Sequence, residues 1–233
     1  MAQPVRRPTG PPPPRIPMLM MRVWDAPTRL FHWAIVLLII TSYVSVNMEW
    51  VQIHYFSGYT MLTLLLFRVV WGFVGSETSR FRKFLRSPAD GLHHLGSFRQ
   101  REPDREIGHN AAGGWMVILM LLALAVQAST GLFAGDPIEG GGPFVDQIAG
   151  PLQKQLTRIH HINFNVILGL VTLHVLAVLA YAALKRHDLV RPMVTGKKRL
   201  PANSRQPRFV SPLVALVIVL VAAGCVWALV NFA

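Results

Sequence analysis

The sequence predicts an all-α integral membrane protein, with a four-helix transmembrane bundle followed by one additional C-terminal transmembrane helix. Three observations carry that expectation. Of 233 residues, 52% are hydrophobic and only 15% are charged. The apolar residues gather in five runs, Leu30 to Met48, Phe56 to Val74, Trp115 to Ala134, Phe164 to Leu184 and Pro212 to Phe232. Each run is about 20 residues, the length that crosses a bilayer's hydrocarbon. None alternates apolar with polar as a barrel strand would, and a helix satisfies its own backbone in lipid.

Residues 1–21 contain seven prolines with Arg6, Arg7 and Arg15, and no apolar stretch such as a secretory signal needs. They read as a disordered Pro/Arg-rich cytoplasmic tail. Residues 22–196 form the four-helix unit, and residues 197–233 a basic linker with the fifth transmembrane helix. The connection between the third and fourth runs carries Gly140 to Gly142 and Gly150-Pro151, with no phosphate-binding pattern around them. It reads as a flexible outside loop.

The 23 Lys+Arg against 11 Asp+Glu give a net charge of +12. Their placement explains the excess. Five lie in the tail through Arg29, seven between Gly75 and Asn110, and eight between Lys185 and Arg208. The other two connections hold only Lys154 and Arg158, and Arg68 alone lies within a run. By the positive-inside rule the N-terminus is cytoplasmic and the C-terminus periplasmic, in a multi-pass protein of the bacterial inner membrane. The same bias removes any need for nucleic-acid binding, and the basic loops are expected to meet anionic membrane lipid.

One cysteine, Cys225, excludes disulfide frameworks, thiolate iron–sulfur sites and CxxC chemistry. Metal chemistry therefore rests on the nine histidines. Ionisable side chains within a membrane are costly, so each asks for a partner or a ligand. His160 and His174 are 14 residues apart, about 40° short of four full turns, and so share a helix face while lying about 21 Å apart. His161 points well away from that face. With the orientation above, His32 on the first helix lies at the depth of His174, and His54 on the second at the depth of His160. Two pairs follow, each joining two helices at one level. A bundle holds an iron porphyrin between facing side chains in this way. Iron with two axial imidazoles has no vacant position and favours electron transfer. Zinc needs three or four protein ligands within a few ångströms, which these separations deny.

The phrases Arg22-Val-Trp-Asp-Ala-Pro-Thr-Arg-Leu-Phe-His32-Trp33, His54-Tyr-Phe-Ser-Gly58, Phe67-Arg-Val-Val-Trp-Gly-Phe-Val-Gly75, Gly108-His-Asn-Ala-Ala-Gly-Gly-Trp115 and Ile159-His160 with His174 resemble the prokaryotic cytochrome b561 family. This di-haem b-type group also resembles cytochrome b subunits of nickel–iron hydrogenases. The likeness covers about residues 22–196. It implies a four-helix haem-binding bundle and a quinone-linked electron carrier with two haem b groups, with His32, His54, His160 and His174 at the ligand positions. The tail and the fifth span fall outside the pattern. His160-His161 stands where members often carry His followed by an acid.

Several groups are candidates to support the haems. Arg68, 14 residues after His54, lies on that histidine's face at the depth of His32 and His174, where it could neutralise a haem propionate. The alternative is snorkelling to the interface. His109 and Asn110 could bond a propionate or a quinone carbonyl, or simply cap the third helix. Arg158 could serve the outer propionates or anchor the interface. His93, His94 and His187 read as solvated surface residues, and Trp24, Trp33, Trp50, Trp71 and Trp115 as an aromatic belt.

The expected role is electron transfer between quinone and a partner, either a periplasmic c-type cytochrome or a dehydrogenase or hydrogenase subunit. A self-sufficient superoxide:ubiquinone oxidoreductase of the same fold is the nearest rival. A haem-free transporter or assembly factor is the third class, and it predicts a colourless protein.

Overall fold

A computed structural model describes residues 17–91, 106–136 and 140–232. Five helices long and apolar enough to cross a membrane run through it: α1 (Ala26–Asn47), α2 (Val51–Val74), α3 (Ala111–Gly131), α4 (Gly150–Ala180) and α5 (Pro212–Asn231). α4 continues without a break as a π-helical turn over Tyr181–Lys185.

Local chemistry marks the helix starts. Asp25 caps α1 by accepting the Thr28 backbone N–H at 2.7 Å, and Pro27 sits in the first turn where no backbone donor is required. Asn110 caps α3 through the Gly113 N–H at 2.7 Å. Ser211 caps α5 ahead of Pro212. Between α1 and α2 only Met48 to Trp50 intervene, with Glu49 in the left-handed region (φ 59°) and the Trp50 N–H returning to the Ser45 carbonyl at 2.8 Å. So tight a turn makes the first two helices antiparallel neighbours.

α1 packs on α2, α2 on α3 and α3 on α4. Their shared core is Ile35, Met61, Leu65, Ala123, Leu124 and Ile167. Many large apolar side chains face outward, among them Leu37, Phe73 and Leu220. That surface is costly in water and unremarkable in lipid, whose tails are as apolar as leucine.

The fifth helix is no loose appendage. It lies along α2 and buries Ala215, Ala222 and Val226, with Ala215 joining Phe67 and Trp71 in a second core. Small residues on that face let the two helices approach closely.

The expected disordered tail ends earlier than residue 21. Met18–Arg22 forms strand β1, antiparallel to β2 (Lys197–Pro201), with Met18 opposite Pro201 and Arg22 opposite Lys197. The Val23 and Trp24 N–H groups then bond the Gly196 carbonyl at 2.8 and 3.2 Å. Gly196 has φ +78°, and a Cβ there would lie 2.9 Å from the Trp24 carbonyl oxygen. Val23 and Leu200 are fully buried beside Trp24. The partner strand lies about 180 residues downstream, so nothing local to the tail reveals it. Residues 1–16 lie outside the described residues.

The basic linker is likewise built into the fold. Glu77 bonds the main chain of Arg208 through both its own N–H (2.9 Å) and its carboxylate (3.1 Å). It also pairs with Lys83 and Arg205, each at 3.4 Å. The connection expected to be a flexible loop folds back on itself: Gly135–Asp136 pairs with Gly140–Gly141, and Gly142 and Phe144 donate to the carbonyls of Ala134 and Leu132. A single turn, Phe81–Phe84, tucks under α2, where the Phe81 ring occupies the space a Cβ on Gly72 would need.

Candidate functional site

The four histidines meet in two pairs. The rings of His32 (α1) and His174 (α4) have centroids 6.3 Å apart, and those of His54 (α2) and His160 (α4) are also 6.3 Å apart. Two imidazole nitrogens each about 2 Å from one metal place the ring centres roughly 6 Å apart, so each pair is spaced for a single ion between the rings. Because α4 is continuous, its two histidines stand about 21 Å apart along the axis. His160 is half-buried and His161 exposed, in accord with the helical arithmetic. Among the described residues no three His, Cys, Asp or Glu gather as a metal cage would require.

The two pairs have different surroundings. At the His54/His160 end, far from the basic loops, both rings are oriented by main-chain carbonyls. Nδ1 of His54 lies 3.1 Å from the Ser42 oxygen, and Nδ1 of His160 lies 3.0 Å from the Gln127 oxygen. A proton on Nδ1 donated to a carbonyl leaves the Nε2 lone pair free for a metal, the usual arrangement behind a ligating histidine. Buried Ser57 bonds the Ser42 hydroxyl at 2.7 Å and the His54 carbonyl at 2.8 Å. α3 runs close by: a Cβ on Gly131 would stand 3.0 Å from His160 Cε1. Arg158 is exposed at this end.

The His32/His174 pair sits at the basic end, beside the strands and the Phe81–Phe84 turn. There the polar atoms are orphaned. Arg29 Nε, His32 Nδ1, Arg68 Nη1 and His109 Nδ1 are buried without a hydrogen-bond partner, and among the described residues all such side-chain atoms lie at this end. Arg68 is only 2% exposed, with its guanidinium 4.8 Å over the Phe81 ring, which overturns the snorkelling alternative. His109 is half-buried between Trp24 and Phe84, with ring centroids at 4.8 and 5.0 Å. Burial first, and then the charge of Arg68, push its pKa down to about 3, so the imidazole is neutral. Each buried orphan costs about 1–3 kcal/mol, and more when charged. A cluster of unpaired nitrogens, two of them in guanidinium groups, is the environment that the carboxylates of a bound group would complete.

Other expectations resolve differently. Asn110 is both the α3 cap and a bridge to α4, donating to the Tyr181 hydroxyl at 2.9 Å. Trp24 and Trp71 are buried, so the aromatic-belt reading fails for both. The Trp71 indole donates to Asp25 at 3.2 Å. His93 and His94 lie outside the described residues. Gln127 and Asn163 escaped the sequence reading, although each is a polar amide within an apolar run, a recurrent signal of contact between membrane helices.

Comparison with known proteins adds an independent observation. The family model described as prokaryotic cytochrome b561 matches residues 23–196. The chain belongs to the prokaryotic cytochrome b561 family. As a member of that family it is a membrane b-type cytochrome that binds haem b and transfers electrons. Cytochrome relatives agree along most of their length. A "Probable Ni/Fe-hydrogenase B-type cytochrome subunit" of Rhizobium leguminosarum bv. viciae is 26% identical, covering 76% of this chain and 87% of the relative. Proteins of the same description from Bradyrhizobium diazoefficiens (22% identical; 76% and 85% covered) and Azotobacter chroococcum (27%; 75% and 86%) match similarly. No solved structure matches. All four paired histidines, Arg68, His109 and Arg158 fall within the cytochrome b561 match, whereas β2 and α5 lie beyond its end.

Proposed function

We propose that this cytochrome carries two haem b groups, one between His32 and His174 and one between His54 and His160, and relays electrons between a hydrogenase-type partner and quinone. The observation that carries the reading is the pair of equal ring separations on one continuous helix, each fit for a single iron. Haem b, when bound, supplies reversible one-electron chemistry. The chain's own residues do the rest. The imidazoles fix each group at its depth, the Ile35/Met61/Leu65/Leu124/Ile167 core keeps water from the space between them, and Arg68 neutralises propionate at the basic end. Two imidazoles on each iron would leave no open position there, which would favour outer-sphere electron transfer over oxygen chemistry.

The partner is inferred from the hydrogenase description shared by the relatives. The charge asymmetry supports a cytoplasmic basic end, with the far end and the C-terminus periplasmic. The test is haem stoichiometry in detergent-purified protein, from reduced-minus-oxidised spectra and alkaline pyridine haemochrome. Two haems per chain are expected. His32→Ala or His174→Ala should lose one and keep the other, and His54→Ala or His160→Ala should do the reverse. A single haem in the wild type, or loss of the same haem from all four variants, defeats the pairing. Turnover of quinone with superoxide and no third protein would favour the self-sufficient enzyme over the carrier.

A further inference from the structure

Three serines surround His54, and their hydroxyl protons run in one direction. The Ser57 hydroxyl donates to the His54 carbonyl at 2.8 Å, which commits its only proton. Ser42 is therefore the donor in the 2.7 Å contact between the Ser42 and Ser57 hydroxyls. The Ser45 hydroxyl donates in turn to the Ser42 main-chain carbonyl at 3.1 Å. That same carbonyl lies 3.1 Å from His54 Nδ1. A carbonyl cannot donate, so the imidazole proton is on Nδ1 and the Nε2 lone pair is left for iron. Ser45 and Ser57 are each 1% exposed. The short α1–α2 turn fixes the register: the Trp50 N–H returns to the Ser45 carbonyl at 2.8 Å, and the His54 N–H to the Trp50 carbonyl at 3.0 Å.

A hydroxyl bonded to the carbonyl three residues back is an ordinary way for serine to satisfy itself within a helix. What sets Ser45 apart is the second donor on its acceptor. A carbonyl shared by two donors holds each less strongly, so Ser45 weakens the bond from His54 Nδ1–H. The arrangement recurs at the opposite ligand, where the Thr130 hydroxyl lies 3.2 Å from the Gln127 carbonyl that faces His160 Nδ1 at 3.0 Å. Thr130 also reaches the Val126 carbonyl at 2.7 Å and stands 3.3 Å from Nδ1 itself, which makes Ser45 the cleaner case. His32 Nδ1, at the basic end, has no acceptor. We propose that Ser45 is a positioning residue for the far haem: by sharing the Ser42 carbonyl with His54, its hydroxyl limits the electron density this imidazole gives the iron and raises the potential of that haem. The inference rests on the two-haem reading above. A strong Nδ1–H bond makes an imidazole a more basic ligand, which favours the ferric state, and hydrogen bonding behind the ligand is one of the levers that set a haem potential. Without the Ser45 hydroxyl the Ser42 carbonyl serves His54 more fully, and the far haem becomes harder to reduce.

The test is a redox titration of the full-length protein in detergent, following both haems. Ser45→Ala deletes the hydroxyl and leaves the Ser42 carbonyl in place. The expected result is a roughly threefold fall in the reduced-to-oxidised ratio of the far haem at fixed potential, about 28 mV for one electron, with the other haem unmoved. Ser45→Cys keeps a weak S–H donor and should lower the same haem by less. Thr60→Ala removes a bond of the same kind on α2, to the Phe56 carbonyl at 2.8 Å, and should move neither haem. Unchanged potentials in Ser45→Ala with both haems present overturn the inference, as does a rise at the far haem, an equal shift of both haems, or a fall in Thr60→Ala as large as in Ser45→Ala. If Ser45→Ala fails to retain the far haem, Ser45→Cys decides: a selective fall supports the assignment and none overturns it. A wild type that carries no haem lost on His54→Ala or His160→Ala would instead refute the two-haem reading itself.

Discussion

Asp25 offers the sharpest stability test, because one carboxylate serves three buried donors. Oδ1 accepts the Thr28 backbone N–H at 2.7 Å, and Oδ2 accepts the Trp71 indole at 3.2 Å and the Ser79 hydroxyl at 3.3 Å. Thr28 bonds Ser79 in turn at 2.6 Å. All four residues are under 9% exposed, and Trp71 and Ser79 are fully buried. Asparagine keeps the shape but has a single acceptor oxygen. In either orientation of its amide at least one donor faces an NH2 group. That cost is about 1–3 kcal/mol for a buried unsatisfied donor. At roughly 2–4 °C per kcal/mol for a chain of this size, Asp25→Asn should lower the melting temperature by about 2–12 °C. Asp25→Ala orphans every donor and removes the α1 cap, and its loss should be at least twice as large. Helicity against temperature for the full chain in one detergent measures both. If both variants melt within about 2 °C of wild type, the network is not holding α1 to α2 and the reasoning fails.

Arg68→Leu removes the buried cation at the basic end. A unit charge roughly 10 Å from an iron at an effective dielectric of about 20 is worth about 1–2 kcal/mol, so the His32/His174 haem should fall by about 40–90 mV in a redox titration while the far haem holds. A larger shift at the far haem would misplace the arginine. Glu77 is held below the usual carboxylate range chiefly by the Arg208 N–H, with Arg205 and Lys83 assisting. A depressed folded-state pKa stabilises the fold above the unfolded value and loses that contribution as pH falls through the folded one. Melting temperature should therefore drop below about pH 4 in wild type and less steeply in Glu77→Gln; parallel curves would show that the 205–208 segment is not anchored there. Haem-free protein should exchange backbone amides faster at 106–110 and 190–196 than across the far end, and adding haem should slow them; uniform exchange along the chain would contradict the asymmetry of orphaned atoms.

Most of the bundle was legible because lipid imposes a simple rule: a run of about 20 apolar residues must be a helix. α5 starts where its run does, at the Ser211 cap, whereas α1 and α3 begin after the caps Asp25 and Asn110, each five residues ahead of the apolar run. The histidine pairs were legible for a related reason. A 14-residue spacing on a rigid helix fixes both face and depth, and the charge bias fixes which ends correspond. What escaped is what depends on distant partners. Met18 to Met21 look like the end of a tail until Lys197–Pro201 supplies a ladder. Trp71 looks like an interfacial residue until Asp25 accepts its indole. Gln127 and Asn163 are two isolated amides in sequence, and they become a unit only because α3 and α4 pack face to face.

The two ends of α4 face different chemical problems, and the fold solves them with different materials. At the far end each imidazole is satisfied by a main-chain carbonyl from the neighbouring helix, Ser42 on α1 or Gln127 on α3. A carbonyl within a helix cannot be moved without moving the helix, so the ring orientation there is set by the bundle itself. At the basic end His32 Nδ1 has no such acceptor, and Arg29 Nε, Arg68 Nη1 and His109 Nδ1 are unpaired as well. That end has a cover. Trp24 and Phe84 enclose His109, Phe81 lies under Arg68, and the Val190–Thr195 turn meets Arg29 and Trp33 through the Val194 and Met193 carbonyls. The cover is pinned by β1 against β2, at and just beyond the edge of the family match. The aromatic rings of this cover offer no acceptor to the four unpaired nitrogens. On the two-haem reading proposed above, an anionic group at the basic end would complete these nitrogens in a way the far end does not need, and Arg68 would serve that group.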